Sequence, residues 1–245
     1  MTTLIRNELL KLRTTRTPWL LLAAAQLIVI LGVAGILLND GSGVPAPAAV
    51  ATAVAHSGLV SLFALMVGIT AVAGEYRHKT ISDTYLTTPR RIQVVAAKLI
   101  TYTVLGIGYG VAAATTALVT SAICVAVLGG SLDLGYPDLW RTVIGGIVWN
   151  AAFAAIGVGL GALIRNLTVA VAVALMWLVI IEEVIAQIIG TSLGRWLPFT
   201  AGESLGRLPA FVNALPQWGA ALLLIGYAVL FAVLAAWTSV RRDVT

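Results

Sequence analysis

Charge is what this sequence has least of. Only 10% of its 245 residues are Asp, Glu, Lys or Arg, 60% are hydrophobic, and the mean hydropathy is +0.99. A soluble domain of this length needs far more polar surface to cover its core, so the composition implies a polytopic membrane protein. Cysteine is nearly missing: Cys124 stands alone in an apolar run. That excludes a disulfide within the chain and argues against a cysteine-based metal site. His56 and His78 are the only histidines, and no His/Asp/Glu cluster has metal-ligand spacing. The sequence also lacks a G-x-x-x-x-G-K-[ST] phosphate loop, so the chain does not cradle ATP in the usual way. Its glycine pairs, GIGYG (106–110) and GVGLG (157–161), lie inside apolar helical runs rather than after a strand. There they serve close helix packing or a kink.

Intramembrane enzymes fare no better. A rhomboid-like serine protease needs a G-x-S-G nucleophile and a distant membrane histidine. Neither occurs here; His56 and Ser57 are adjacent, His56 reads as an outer-end polar residue, and His78 falls in a charged patch. The reading is of a non-enzymatic chain, with no nucleic-acid partner.

The long apolar runs predict a single all-α membrane domain over residues 1–245. Six spans are expected, at about 19–38, 54–73, 96–128, 143–164, 167–189 and 218–237, all but the longer third near the ~20 residues that a bilayer requires. The first run is too long for a signal-peptide core and reads as an uncleaved helix. Residues 40–50, rich in Gly, Pro and Ala, read as a loop. Residues 92–128 would make a helix of about 55 Å, so the third helix starts outside the hydrocarbon layer. With the N-terminus inside, twelve of the fifteen Lys and Arg fall on the inner side; Arg141, Arg195 and Arg207 fall outside. The positive-inside rule therefore puts both termini in the cytoplasm.

The inner side then includes GEYRHKTISDTYLTTPRR (74–91), with two acids, four Arg or Lys and one His. Hydroxyl and acidic residues over 80–83 suit a helix N-cap, Ile81, Tyr85 and Leu86 share a face at helical spacing, and Pro89 ends the helix. The residues alone leave two readings open: a solvated loop that holds topology, or a short helix that docks a partner. Near the N-terminus, Ile5, Leu9 and Leu12 form an apolar stripe, with Arg6, Lys11 and Arg13 mostly off it. This suits a helix lying in the inner interface, with basic side chains on anionic headgroups. The TTRTP break (14–18) separates it from the first span.

These features together resemble the permease subunits of ABC-2 type transporters, in their short stand-alone bacterial, actinobacterial-like form. The resemblance rests on the basic N-terminal helix, Gly74-Glu75, Arg77, Thr80-Ile81, Pro89-Arg90 and Lys98, and on MWLVIIEEV followed by RWLPFTAGESL. It implies that the patch is a coupling helix. Thr80, Ile81, Asp83, Thr84, Tyr85 and Leu86 would contact an ABC ATPase subunit, and Glu75 and Arg77 would sit at the hinge. The N-terminal stripe would be the elbow helix, and residues 190–217 would hold short outer helices. It further implies a bacterial inner-membrane exporter; the hydrophobic wall and the lack of a large outer domain suit lipophilic or amphipathic cargo. A second permease copy or a related permease would complete the dimer, among membrane lipid, and ATP and Mg would be bound by the partner ATPase rather than by this chain.

Glu182 and Glu183 are the notable charges within a span. Glu182 lies about 22 Å along its helix, near the outer leaflet, and adjacent residues point about 100° apart. One reading is a hydrated outer end paired with Arg195 or Arg207; the other is an outer gate or cavity. An ion-driven secondary transporter, and a non-transporting anchor or sensor coupled to an ATPase, stand as alternative functions. The first usually places charge at the bilayer midplane and shows internal repeats, and neither is seen here.

Overall fold

Three helices of this chain begin at a proline, Pro47, Pro137 and Pro198, each in the first turn. Proline lacks the N–H that the first turn would leave unpaired, and its φ is preset for helix. In the computed structural model, which describes all residues except 40–42, 82–85, 87–90, 190, 209–213 and 242–245, the chain is built from helices alone, with no strand among the described residues. In order they are α1 (Thr2–Thr14), α2 (Thr17–Asn39), α3 (Pro47–Ala55), α4 (Ser61–Arg77), α5 (Arg91–Val127), α6 (Pro137–Ile164), α7 (Leu167–Met176), α8 (Glu182–Ile189), α9 (Thr191–Gly194), α10 (Pro198–Gly206) and α11 (Gln217–Arg241). A 3-10 turn at His56–Val60 joins α3 to α4, and a π-turn at Trp177–Ile181 joins α7 to α8.

Five helical stretches are long and apolar enough to cross a membrane: Thr17–Asn39, Pro47–Arg77, Ile92–Val127, Pro137–Ile164 and Gln217–Trp237. The second begins earlier than its hydropathy suggests, because Pro47 starts α3 inside the expected loop. The third is one unbroken helix, α5, which begins one residue before the apolar stretch, at Arg91. The region expected as the fifth span is helical throughout but is interrupted by the π-turn, so Leu167–Met176 stands as a shorter apolar helix.

Helix α6 is the central post. Its buried face packs against α4, α5 and α11. Glycine makes this possible. A Cβ on Gly161 would lie 2.7 Å from the Ile69 carbonyl of α4, and one on Gly110 would lie 2.7 Å from the Ile147 Cα of α6. GIGYG and GVGLG are thus contact points where backbones touch, and α5 runs through GIGYG without a break.

At the end of the bundle away from α1, Trp149 is fully buried. Its ring meets Phe153 and Phe199 edge-on at 5.9 and 5.6 Å between centroids. Gly202 and Gly206 let α10 lie directly against the indole. Gln217 then ties the start of α11 to the Leu205 carbonyl at 2.8 Å. Of the short helices between α8 and α11, α10 is therefore packed into the bundle rather than laid on it.

Candidate functional site

Lys98 lies in α5, two turns after its start, and only 1% of it is exposed. An ammonium in such a place is costly unless neutralised and fully hydrogen-bonded. Here it is both. Its Nζ donates to Glu8 Oε1 and Oε2 at 3.0 and 2.9 Å, to Glu75 Oε1 at 2.7 Å, and to the Ala71 carbonyl at 2.9 Å. Glu8 comes from α1 and Glu75 from the last turn of α4. Lys11, one turn after Glu8, donates to Glu75 Oε1 at 2.6 Å and to Glu8 Oε1 at 3.0 Å. Two carboxylates and two ammoniums thus alternate around one point, with no net charge. Three helices that are distant in sequence meet there.

Local sequence explains each position. Glu8 shares a face of α1 with Ile5 and Leu12, three residues before it and four after it. The face of α1 that turns inward is accordingly Glu8 and Leu12, both buried, while Leu9 is half-exposed. The apolar stripe read as Ile5, Leu9 and Leu12 is corrected to this extent: the buried charge on α5 draws the acid inward. The break after Thr14 is real, with Thr15 extended. It lets α1 fold back, and the Trp19 indole fixes the corner by donating to the Leu12 carbonyl at 3.2 Å. The Tyr109 hydroxyl donates to the Pro18 carbonyl and anchors the start of α2 to α5.

Glu75 also acts through its backbone. Its carbonyl accepts the Thr80 N–H at 3.0 Å, and the Tyr76 carbonyl accepts the Lys79 N–H at 3.3 Å. This is a Schellman closure of α4, with Lys79 at φ 59° in the position glycine usually takes. One residue therefore joins the charge cluster to the turn that launches the segment after α4. Arg165, in the turn between α6 and α7, stacks over the Tyr76 ring at 5.4 Å from its centroid.

Of the residues expected in that segment, Arg77 and Thr80 are exposed, Ile81 is buried and Leu86 is 81% exposed. Ile81 and Leu86 thus differ in exposure, and Leu86 is the apolar group presented outward. Asp83, Thr84 and Tyr85 lie outside the described residues. Among the described residues no group of three or more His, Cys, Asp or Glu is arranged to hold a metal.

Of the two readings of Glu182, a hydrated outer end paired with arginine or part of an outer gate or cavity, the first does not describe its surroundings. Glu182 is buried, and its carboxylate accepts the Phe199 N–H at 2.9 Å and the Thr200 N–H at 3.3 Å. These N–H groups belong to the first turn of α10, which Pro198 starts. A carboxylate there meets unpaired donors and the positive end of the helix dipole. Arg207 pairs instead with Asp138 at 3.0 Å. The Glu183 side chain lies outside the described set.

Glu8 was missed by sequence reasoning. The available signal was a single acid on the stripe of a basic helix, opposite a lone lysine in an apolar run.

The family model for ABC-2 family transporter proteins matches residues 4–181. That range contains the whole charge cluster and the segment after α4. No curated protein matches the chain.

Proposed function

The chain belongs to the ABC-2 family of transporter proteins, and from that premise we propose that it is the permease subunit of an ATP-driven exporter. Family membership makes it a multi-pass membrane component of transport. The finer reading is that a separate ABC ATPase binds ATP and Mg and docks on the segment that follows α4. Two copies of this chain, or this chain and a related permease, enclose a path for lipophilic or amphipathic cargo. Helices α7 and α8, joined by the π-turn, serve as the fifth of six spans. Both termini then lie in the cytoplasm of a bacterial inner membrane, as the charge asymmetry supports.

The observation that carries this reading is the double use of Glu75. A push on the segment after α4 is borne by the Thr80–Glu75 turn, and the Glu75 carboxylate is bonded to lysines of α1 and α5. The patch is thereby wired to the elbow helix and to the long third span, the connection that a coupling element needs.

Co-purification of the chain with its ABC ATPase tests the docking. Leu86→Asp is the informative variant, because Leu86 is exposed and its change leaves this chain's packing alone. The complex is expected for the wild type and lost in Leu86→Asp, with membrane insertion unchanged. Undiminished binding by the variant would sink the docking assignment. Failure of any ATPase to bind would favour the ion-driven alternative.

A further inference from the structure

Helices α7 and α11 both pack on α6 but scarcely on each other. Along this seam lies a cavity of about 240 Å³, walled by α4, α6, α7, the π-turn, Pro198 and α11. Exposure gives it a direction. Val173 of α7 and Trp177 of the π-turn are 39% and 41% exposed, whereas Ile156 and Phe153 of α6 are 5% and 1% exposed. The cavity therefore has α6 as its floor and opens outward between α7 and α11. In a chain that spans the membrane, what lies outside that opening is hydrocarbon.

Chemistry and size narrow the occupant. The side chains on the wall carry two polar groups, and both are engaged elsewhere. The Tyr227 hydroxyl donates to the Trp196 carbonyl at 3.0 Å, and the Trp177 indole bonds the Glu182 carboxylate. A water held in a cavity needs several polar partners, and these side chains leave it none. A headgroup would meet the same apolar wall. A helix of a second copy is too large, because one turn with its side chains, about 10 Å across and 5.4 Å long, fills roughly 400 Å³. What fits the volume and the wall is a single hydrocarbon chain.

We propose that this cavity holds the terminal part of one acyl chain of a membrane phospholipid, inserted between α7 and α11. The chain supplies the contact that these two helices do not make with each other. It also lies against Trp177 and Pro198, which flank the bonds from Glu182 to the first turn of α10. The hydrocarbon thus fills the joint at which the π-turn, α8 and α10 meet the last span. The inference rests on the membrane placement of the chain and not on the docking of an ATPase.

The test is photo-cross-linking of the full-length chain in bilayers of phosphatidylcholine that carries a diazirine on one acyl chain, either near the terminal methyl or next to the ester. The terminal probe is expected to label the α6 floor at Ile156, which bulk lipid does not reach, and the ester-proximal probe to label outward-facing residues only. Ala174→Phe, which fills the cavity, and Val173→Trp, which narrows its mouth at an exposed position, should each reduce the Ile156 label severalfold. Labelling of the outward-facing Leu27 of α2 should stay unchanged in both and report an intact bundle. An unlabelled floor in the wild type, as when a second copy covers the opening, would overturn the proposal. So would an Ile156 label that neither variant reduces.

Discussion

The two ends of this bundle each bury a carboxylate, and they satisfy it by different means. At the α1 end, Glu8 and Glu75 are matched by Lys98 and Lys11, charge against charge, from three helices. At the other end, Glu182 is matched by peptide N–H groups at the start of α10. Peptide donors are fixed by the helix that carries them, and α10 is itself pinned by glycine contacts with Trp149. Lysine side chains are long and can trade partners as helices shift. The α1 end is built from exchangeable bonds and the other end from fixed ones. This is the distribution expected where one end receives motion and the other holds shape.

The largest effect should come from removing the central cation. Lys98→Met leaves two buried carboxylates with Lys11 alone, and breaking such a buried set costs about 3–5 kcal/mol. Thermal unfolding in detergent should show a large drop, and a double-mutant cycle with Glu8→Gln should show strong coupling. A loss no bigger than that of a surface substitution would remove the cluster from the account. Glu182→Gln should cost less, about 1–2 kcal/mol, because a neutral amide oxygen still accepts from Phe199 or Thr200 but without the charge. If the order of these two variants reversed, the contrast between the ends would be wrong.

Smaller still is the turn. Lys79 occupies the left-handed region at φ 59°, and Lys79→Gly should relieve about 1 kcal/mol there. Stabilisation with weakened coupling to the ATPase would mark the turn as held under strain for transmission. The last prediction concerns pH. Burial alone would lower the Lys11 pKa, but hydrogen bonds and charges from Glu75 and Glu8 outweigh it, and the pKa ends above the ordinary 10.5. A group raised on folding contributes fully below its unfolded pKa and loses that contribution as pH rises through the folded value. The difference in melting temperature between wild type and Lys11→Met should therefore be flat through neutral pH and shrink only above about 10.5. A difference that collapses near pH 7 would contradict the assignment.

How much of this was legible beforehand follows from the range of the forces involved. Helices are set by local hydropathy, proline and glycine, so the five long apolar helices, the TTRTP break and the packing role of the glycine pairs could be read from neighbouring residues, whereas the π-turn that divides the region expected as the fifth span could not. Glu75 and Lys98 stand out through the family resemblance, Glu75 as a hinge residue and Lys98 as one of the residues that carry it. Their partner Glu8 does not, because it meets Lys98 across 90 positions, and an apolar-stripe reading gives a lone acid no weight. The partners of Glu182 were out of reach for the same reason. Its donors are backbone groups seventeen and eighteen residues on, brought back by the turn before Pro198, and backbone donors have no residue type for a sequence reading to find. The Ile81–Leu86 face was drawn on helical spacing, yet one residue is buried and the other exposed.

The central claim is that the cluster carries motion from the segment after α4 to α1. Hydrogen–deuterium exchange of α1 in the complex with the ATPase, with and without a non-hydrolysable ATP analogue, tests it most directly. The account predicts that nucleotide changes the protection of Thr2–Thr14 in the wild type, and that Lys98→Met keeps the complex but abolishes the change. Protection of α1 that ignores nucleotide in the wild type, or a response that persists undiminished in Lys98→Met, would contradict it.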